Sequence, residues 1–295
     1  MNPPDDPTGG SDATVTWREL HRELVGQLGD PTARWLCEEA SGHDRGDWLV
    51  HQGDPATVRA VARLDEMARR CGSGEPVQYV LGHWPFRDLD LAVDRRVLIP
   101  RPETEHVVEL ALAELDRLGG RERSTVVVDL GTGSGAIGVS IAVERPLATV
   151  TATDRSTDAL AVARANTAGL GRAGARVTLA EGVWFDALDA AMRGAVDLVI
   201  ANPPYVGAGE DLPVSVEAWE PAGALRAGPD GLDDLRVIVA SAPEWLAPHG
   251  VLVVEHAPDQ GPVLVSLAIS VGFASAEVVP DLTGRPRALI ARRRS

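Results

Sequence analysis

The chain of 295 residues contains no lysine; all 28 of its cationic side chains are arginine. Without a lysine amine there is no Schiff-base chemistry, no pyridoxal-phosphate anchor and no Walker-A phosphate loop. Cysteine is nearly absent. Cys37 and Cys71 are too few for a disulfide framework or a thiolate zinc site, and they suit a reducing compartment. Seven histidines follow no metal-ligand spacing and HExxH does not occur, so no metal is expected. Long apolar runs are missing too. The longest uncharged stretch, Gly261 to Ala276, falls short of the ~20 residues that cross a bilayer. No apolar run precedes the first cation, Arg18, so no secretory signal is read and a cytoplasmic location without membrane contact is expected. Positive charge is in deficit, with a formal net charge of −15. Non-specific affinity for nucleic acid rests on cations neutralising phosphate, so direct nucleic-acid binding is not expected.

What is present is ordinary globular composition, 44% hydrophobic and 24% charged. The residues 1–14 are Pro, Asp, Gly and Ser in the main and are expected to form a disordered tail. Residues 15–75 predict a small bundle of short helices. Thr16 and Glu19 form a capping box, and Trp17, Leu20, Leu24, Val25 and Leu28 follow at helical spacing. Asp30-Pro31 and Asp54-Pro55 each suggest an N-cap acid before a proline, and Gly42 and Gly72 suggest stops. Trp17, Trp35 and Trp48 are expected in the bundle core. Residues 76–102 read as a linker, with Phe86 and Leu89 to Val93 extended and forming a hairpin with Val97 to Ile99.

From 103 to 295 helical and strand patterns alternate. Strands are expected at Thr125 to Leu130, Ala148 to Asp154, Arg176 to Ala180, Ala195 to Ala201 and Gly250 to Glu255. Helices are expected from Glu103, at Gly135 to Val143 and at Thr157 to Ala168. Such alternation implies an α/β fold, a parallel sheet covered by helices on both faces. After the first of these strands comes Asp129-Leu130-Gly131-Thr132-Gly133-Ser134-Gly135. Glycines there let the backbone turn sharply and approach a ligand. Asp154, 23 residues beyond Gly131, stands where an acid can bind a ribose diol. The pair reads as a site for an adenosine-bearing cofactor. The glycine pattern alone does not separate NAD from S-adenosylmethionine.

The fourth strand leads into Asn202-Pro203-Pro204-Tyr205. Two prolines end the ladder because neither has an N–H to offer. The side-chain oxygen of Asn202 and the carbonyl oxygen of Pro203 then serve as two acceptors for a planar NH₂ group, with Tyr205 as an aromatic wall. An amide nitrogen is a poor nucleophile, and two acceptors on its N–H bonds orient it and favour the charge it gains on attack. This favours S-adenosylmethionine over NAD.

With these residues in view, the sequence resembles the release-factor glutamine N5-methyltransferases over about residues 16–292. The resemblance is carried by Gly74 to Gly82, by Leu98 to Glu105 (Leu-Ile-Pro-Arg-Pro-Glu-Thr-Glu), by the glycine loop, by Asn202 to Tyr205 and by Asp281 to Arg285. It implies a class I, Rossmann-like methyltransferase domain with a seven-stranded, mostly parallel sheet, behind an N-terminal helical bundle and a hairpin linker. It implies S-adenosylmethionine as methyl donor and the glutamine of the Gly-Gly-Gln motif of class 1 peptide chain release factors as acceptor. The implied cofactor contacts are Gly131, Thr132, Gly133, Ser134, Gly135, Asp154, Trp184 beside the adenine, and Asn202. Implied substrate contacts are Asn202, Pro203, Pro204 and Tyr205, of which Asn202, Pro203 and Tyr205 are assigned to catalysis. The family's acid before Trp184 is replaced by Val183, with Glu181 or Asp186 as substitutes.

Other residues carry alternatives. Arg101 and Glu103 either touch the substrate or cap the next helix. Glu220-Pro221 matches the family or is a solvated turn. Arg292 to Arg294 reads as a solvated tail. Competing functions are methylation of an exocyclic base amino group, an NAD-dependent oxidoreductase, and a non-catalytic binding module. The base reaction needs flipping and a cationic track, and the oxidoreductase leaves Asn202 to Tyr205 unexplained.

Overall fold

A computed structural model describes residues 14–294. The expected tail, apart from residue 14, lies outside the described residues. The chain divides into two compact units, the first ending at Leu81 and the second beginning at Gly82.

The first unit holds α1 (Trp17–Leu28), α2 (Asp30–Ser41), α3 (Arg45–His51), α4 (Val58–Gly72) and α5 (Val77–Leu81). The capping box opens α1, with Glu19 N–H donating to Thr16 and Thr16 N–H to Glu19. The two expected Asp-Pro caps are corrected. Gly29 occupies the N-cap of α2, so Asp30 and Pro31 lie inside its first turn. Thr57, not Asp54, caps α4, and Asp54 instead pairs with His51 at 2.8 Å. Gly42 ends α2 in the left-handed region, whereas α4 runs through Gly72 to a cap at Ser73. Trp17 and Trp48 meet edge to face within a core that includes Leu36, Cys37, Leu64 and Met67. Trp35 is 36% exposed and stands outside that core. Burial pushes the Cys37 thiol up to about 12, which makes it unreactive. Arg70 of α4 grips Glu75 at 2.6 Å and the carbonyls of Tyr79 and Val80, so α5 packs with the helices before it.

The second unit starts with a hairpin, β1 (His83–Phe86) and β2 (Leu89–Ala92). The apolar pattern paired Leu89 to Val93 with Val97 to Ile99; the partner is the preceding strand. Arg87 adopts φ 52° in the two-residue turn Arg87-Asp88, a conformation that apolar patterning does not signal. Residues 97–99 form no strand. Then follow α6 (Pro102–Arg117), β3 (Thr125–Leu130), α7 (Ala136–Glu144), β4 (Ala148–Asp154), α8 (Thr157–Ala168), β5 (Val177–Glu181), β6 (Val196–Ala201), α9 (Val214–Trp219), α10 (Asp233–Trp245), β7 (Leu246–Glu255), α11 (Gly261–Ser270), β8 (Ser275–Pro280) and β9 (Pro286–Arg292).

The seven-stranded sheet has the order β5-β4-β3-β6-β7-β9-β8. The strands β3 to β7 run parallel and β9 is antiparallel between β7 and β8. The central strands are buried on both faces, which explains their unbroken apolar runs. Val127, Leu198, Ile200, Val251 and Val253 face α6 and α7; Val128, Leu130, Val199, Leu252 and Val254 face α10 and α11. Arg292 is not in a solvated tail. It lies in β9 and binds Glu114 through two nitrogens, at 2.6 and 3.0 Å. Strand order reverses between β3 and β6, the place where an open α/β sheet opens a crevice beyond its strand ends.

Asn166 of α8 ties the hairpin to the loop after β3. It accepts from Ala92 N–H at 2.8 Å and donates to the carbonyls of Ala92 (3.0 Å) and Ser134 (2.8 Å). Asn166→Ala is expected to destabilise the chain by about 1–3 kcal/mol and to speed amide exchange at Ala92. Urea unfolding with hydrogen exchange measures both; unchanged exchange at Ala92 would contradict this role.

Candidate active site

The loops that leave the parallel strands build the crevice at the reversal point. After β3 the chain turns through Gly131 to Gly135 into α7. The Thr132 N–H donates to Thr153 O at 2.8 Å, and the Gly135 N–H to Thr132 O at 2.8 Å. Gly131 has φ 71°, and a Cβ there would stand 3.1 Å from the Trp184 ring. Glycine therefore lets the loop lie flat under the indole. Asp129 holds the loop from inside. Its Oδ2 accepts from the Thr132 hydroxyl at 2.5 Å and from Gly138 N–H at 3.0 Å, while its buried Oδ1 has no protein partner. Asp154 holds it from the other side, with its two oxygens accepting from the N–H groups of Gly133 and Ser156, each at 2.9 Å.

After β5 comes Trp184 at φ 49°, whose indole N–H donates to Asp234 at 3.1 Å. Val183 is 48% exposed and lines the cavity. Neither Glu181 nor Asp186, the acids suggested in its stead, does so.

After β6 come Asn202 and the two prolines. Asn202 Nδ2 donates to the Thr104 hydroxyl at 3.1 Å, and the Thr104 hydroxyl donates to Glu255 at 2.8 Å. Tyr205 donates its hydroxyl to the other Glu255 oxygen at 3.2 Å. The Gln260 side chain fixes the Tyr205 carbonyl at 2.9 Å. Among the described residues no donor reaches Asn202 Oδ1 or the Pro203 carbonyl. Glu255 ends β7, is buried, and burial pushes it up to about 7 despite its two hydroxyl partners.

These elements enclose a cavity of about 280 Å³. Of the residues named from sequence, Gly131, Thr132, Gly133, Ser134, Asp154, Trp184, Asn202 and Pro204 line it. Gly135 caps α7 behind the loop, and Pro203 and Tyr205 stand off the lining. Thr104, to which sequence reasoning gave no role, also lines it. Thr104 and Glu255 are 151 residues apart, and nothing local marks their pairing. Arg101 occupies the N-cap of α6 without a side-chain cap bond; its side chain pairs with Glu220, which also accepts from Ile99 N–H at 3.2 Å. Glu220 is buried, which corrects its reading as a solvated turn. Arg95 stacks over Trp219 at 4.2 Å, and Arg155 donates to Gly223 O at 2.8 Å, so the segments around 95–101 and 219–224 arch over the cavity. Among the described residues no group of His, Cys, Asp and Glu is placed to hold a metal, and no helix is long and apolar enough to cross a membrane.

The donor set fits an adenosine-bearing sulfonium. Each Asp154 oxygen keeps a lone pair for a ribose hydroxyl, Val183 and Trp184 offer an apolar slot for a base, and Asn202 lines the same cavity. The close approach at Gly131 leaves the loop backbone open to the ligand.

The chain also matches known proteins. The model of the methyltransferase small domain matches residues 109–219 and that of the PrmC N-terminal domain matches residues 29–82. The chain is 41% identical over 261 residues to the release factor glutamine methyltransferase of Neisseria gonorrhoeae, covering 88% of this chain and 92% of that one. It is 44% identical over 264 residues to the protein of the same name from Moorella thermoacetica, covering 88% of each. A methyltransferase from Pyrococcus furiosus shares the fold, with a TM-score of 0.50, 20% identity and coverage of 71% of this chain and 91% of that one.

Burial raises Asp129 to about 7, against an ordinary value near 3.8. The folded chain therefore binds this proton more tightly than the unfolded one, and the contribution is lost as pH rises from about 4 through about 7. Asp129→Asn is expected to gain stability relative to the native chain across that window. Urea midpoints at pH 5 and pH 8 test it; a pH-independent difference between the two proteins would contradict it.

Proposed function

Because this chain belongs to the family of release factor glutamine methyltransferases, we propose that it methylates the side-chain amide nitrogen of the glutamine in the Gly-Gly-Gln motif of class 1 peptide chain release factors. The cofactor is S-adenosylmethionine, which when bound supplies an electrophilic methyl group on a sulfonium. The observation that carries the reading is the state of Asn202. Its NH₂ end is tied to Thr104 and its oxygen end is left as an acceptor at the cavity.

In this reading Asp154 binds the ribose diol, the loop from Gly131 to Gly135 cradles the methionine part, and Trp184 lies beside the adenine. Asn202 Oδ1 and Pro203 O accept the two N–H bonds of the substrate amide and turn its nitrogen toward the methyl group. Both acceptors strengthen their hold as the nitrogen gains positive charge, so they favour the transition state over the ground state. They hold both N–H bonds until one of the two protons leaves to water. Pro203 and Pro204 keep the corner rigid, since neither can rejoin the ladder. Tyr205 walls the acceptor side and braces Glu255. The helical bundle expected over residues 15–75 serves to dock the release factor.

A release factor incubated with the chain and labelled S-adenosylmethionine should gain one methyl group on its Gly-Gly-Gln peptide, read by mass spectrometry. Label on nucleic acid alone would refute the reading. Asn202→Ala should lower turnover by about 10²–10³-fold with little change in cofactor affinity. Asp154→Ala should weaken cofactor binding by about tenfold or more, through the lost charged hydrogen bonds. Equal loss of cofactor affinity in both would contradict the roles.

A further inference from the structure

An asparagine amide has two ends of nearly equal size and opposite hydrogen-bonding sense. At a site that receives an NH₂ group, only the oxygen end is useful. Something must therefore choose between two packings that differ little in shape.

The polar chain behind Asn202 makes that choice. It runs from Asn202 through the Thr104 hydroxyl to Glu255, with Tyr205 arriving from the other side. Thr104 and Glu255 are both buried. An ionised carboxylate only accepts, so the Thr104 hydroxyl commits its single hydrogen to Glu255 Oε2, and Tyr205 commits its own to Oε1. The Thr104 oxygen is then left as an acceptor toward Asn202, and only the Nδ2 end can serve it. The other charges around Glu255 are Arg287, which favours its ionised form, and Glu103, which opposes it. Arg287 in turn lies 3.8 Å from Asp281 and donates to His256 O at 3.4 Å. Burial keeps the His256 ring toward its neutral form.

We propose that Thr104 and Glu255 are positioning residues that fix the orientation of the Asn202 amide, so that the site takes a carboxamide NH₂ and rejects a carboxylate in its place. The inference rests on the reading of Asn202 as the grip on the substrate nitrogen. It adds that selection of glutamine over glutamate is set by a carboxylate that never touches the substrate. A protonated Glu255 becomes a donor, Thr104 can reverse, and the amide is free to turn its NH₂ end outward.

The full-length chain is tested as Thr104→Val, Thr104→Ser, Glu255→Gln and Asn202→Ala with a Gly-Gly-Gln peptide and its Gly-Gly-Glu counterpart. Thr104→Val and Glu255→Gln are expected to lower kcat by about 10²-fold, the size of a misplaced catalytic contact. The Kd for S-adenosylmethionine should stay within about twofold, since the ribose and loop contacts are untouched. Thr104→Ser should recover turnover to within about tenfold of native, because its hydroxyl keeps the chain. Inhibition by the Gly-Gly-Glu peptide should strengthen about tenfold in Thr104→Val and Glu255→Gln, as an amide N–H now faces the acceptor. Native kcat should fall as pH drops below about 7, and Glu255→Gln should lack that limb. Native kcat and native inhibition in Thr104→Val and Glu255→Gln, with Asn202→Ala inactive, would overturn the proposal and leave the proposed function standing. Turnover retained in Asn202→Ala would overturn both. If Thr104→Val does not fold by thermal melt, Glu255→Gln decides alone by the same two readouts.

Discussion

The site depends on one constraint: a β-strand must end abruptly with its last polar groups unpaired and still be held in place. Pro203 and Pro204 supply the abrupt end at β6, and the hydrogen bond from Asn202 to Thr104 supplies the hold. Neither would suffice alone. A loose corner would let solvent or neighbouring backbone occupy the acceptors, and a corner still in the ladder would have none to offer. The rest of the second unit supports that corner. β6 lies between β3 and β7, so the glycine loop arrives on one side and Glu255 on the other. The first turn of α6 brings Thr104 across the strand ends to close the chain of hydrogen bonds.

The absence of lysine acquires a meaning in this frame. Arginine's planar fork suits bidentate, fixed pairing with carboxylates, and many of the arginines are used in that way. Arg87 clasps Glu144 at 2.5 and 2.8 Å, Arg145 clasps Asp116 at 2.8 and 3.1 Å, and Arg292 clasps Glu114. Arg101 and Arg95 fasten the arch over the cavity to Glu220 and Trp219. These cations are tied to the fold.

Sequence patterns carried the sheet further than they carried the connections. The bounds of β3, β4 and α8 agree with the alternation of apolar runs and caps, because strands buried on both faces leave a dense signal. The hairpin formed, but its partner strand was misplaced for a local reason. Arg87 takes a left-handed conformation that glycine or asparagine would have advertised. The Asp-Pro helix starts failed because a glycine or threonine nearby competed successfully for the cap. Within the site, the glycine loop, Asp154 and the Asn-Pro-Pro-Tyr corner were legible as contiguous motifs. Thr104, Glu255 and Glu220 were not, since each acts through a partner about 50 to 150 residues away. A buried acid in a strand end and a threonine in a helix's first turn look ordinary until the fold joins them.

Under the proposed roles, binding and turnover would be separable because of how the strands are ordered. Asp154 ends β4 and Asn202 follows β6, on opposite sides of β3. Their hydrogen-bond partners do not overlap: Asp154 answers to Gly133 and Ser156, Asn202 to Thr104. Substitutions without shared partners act nearly additively. The glycine loop is the one segment between them, held from inside by Asp129 and from outside by Asp154. A change at Asp129 would therefore shift the loop that faces the cofactor and, through α7, the packing beneath β3. The hydrogen bond that orients Asn202 would stay intact. Under the proposed roles, cofactor affinity would rest on one half of the sheet and acceptor orientation on the other, with β3 as the shared wall.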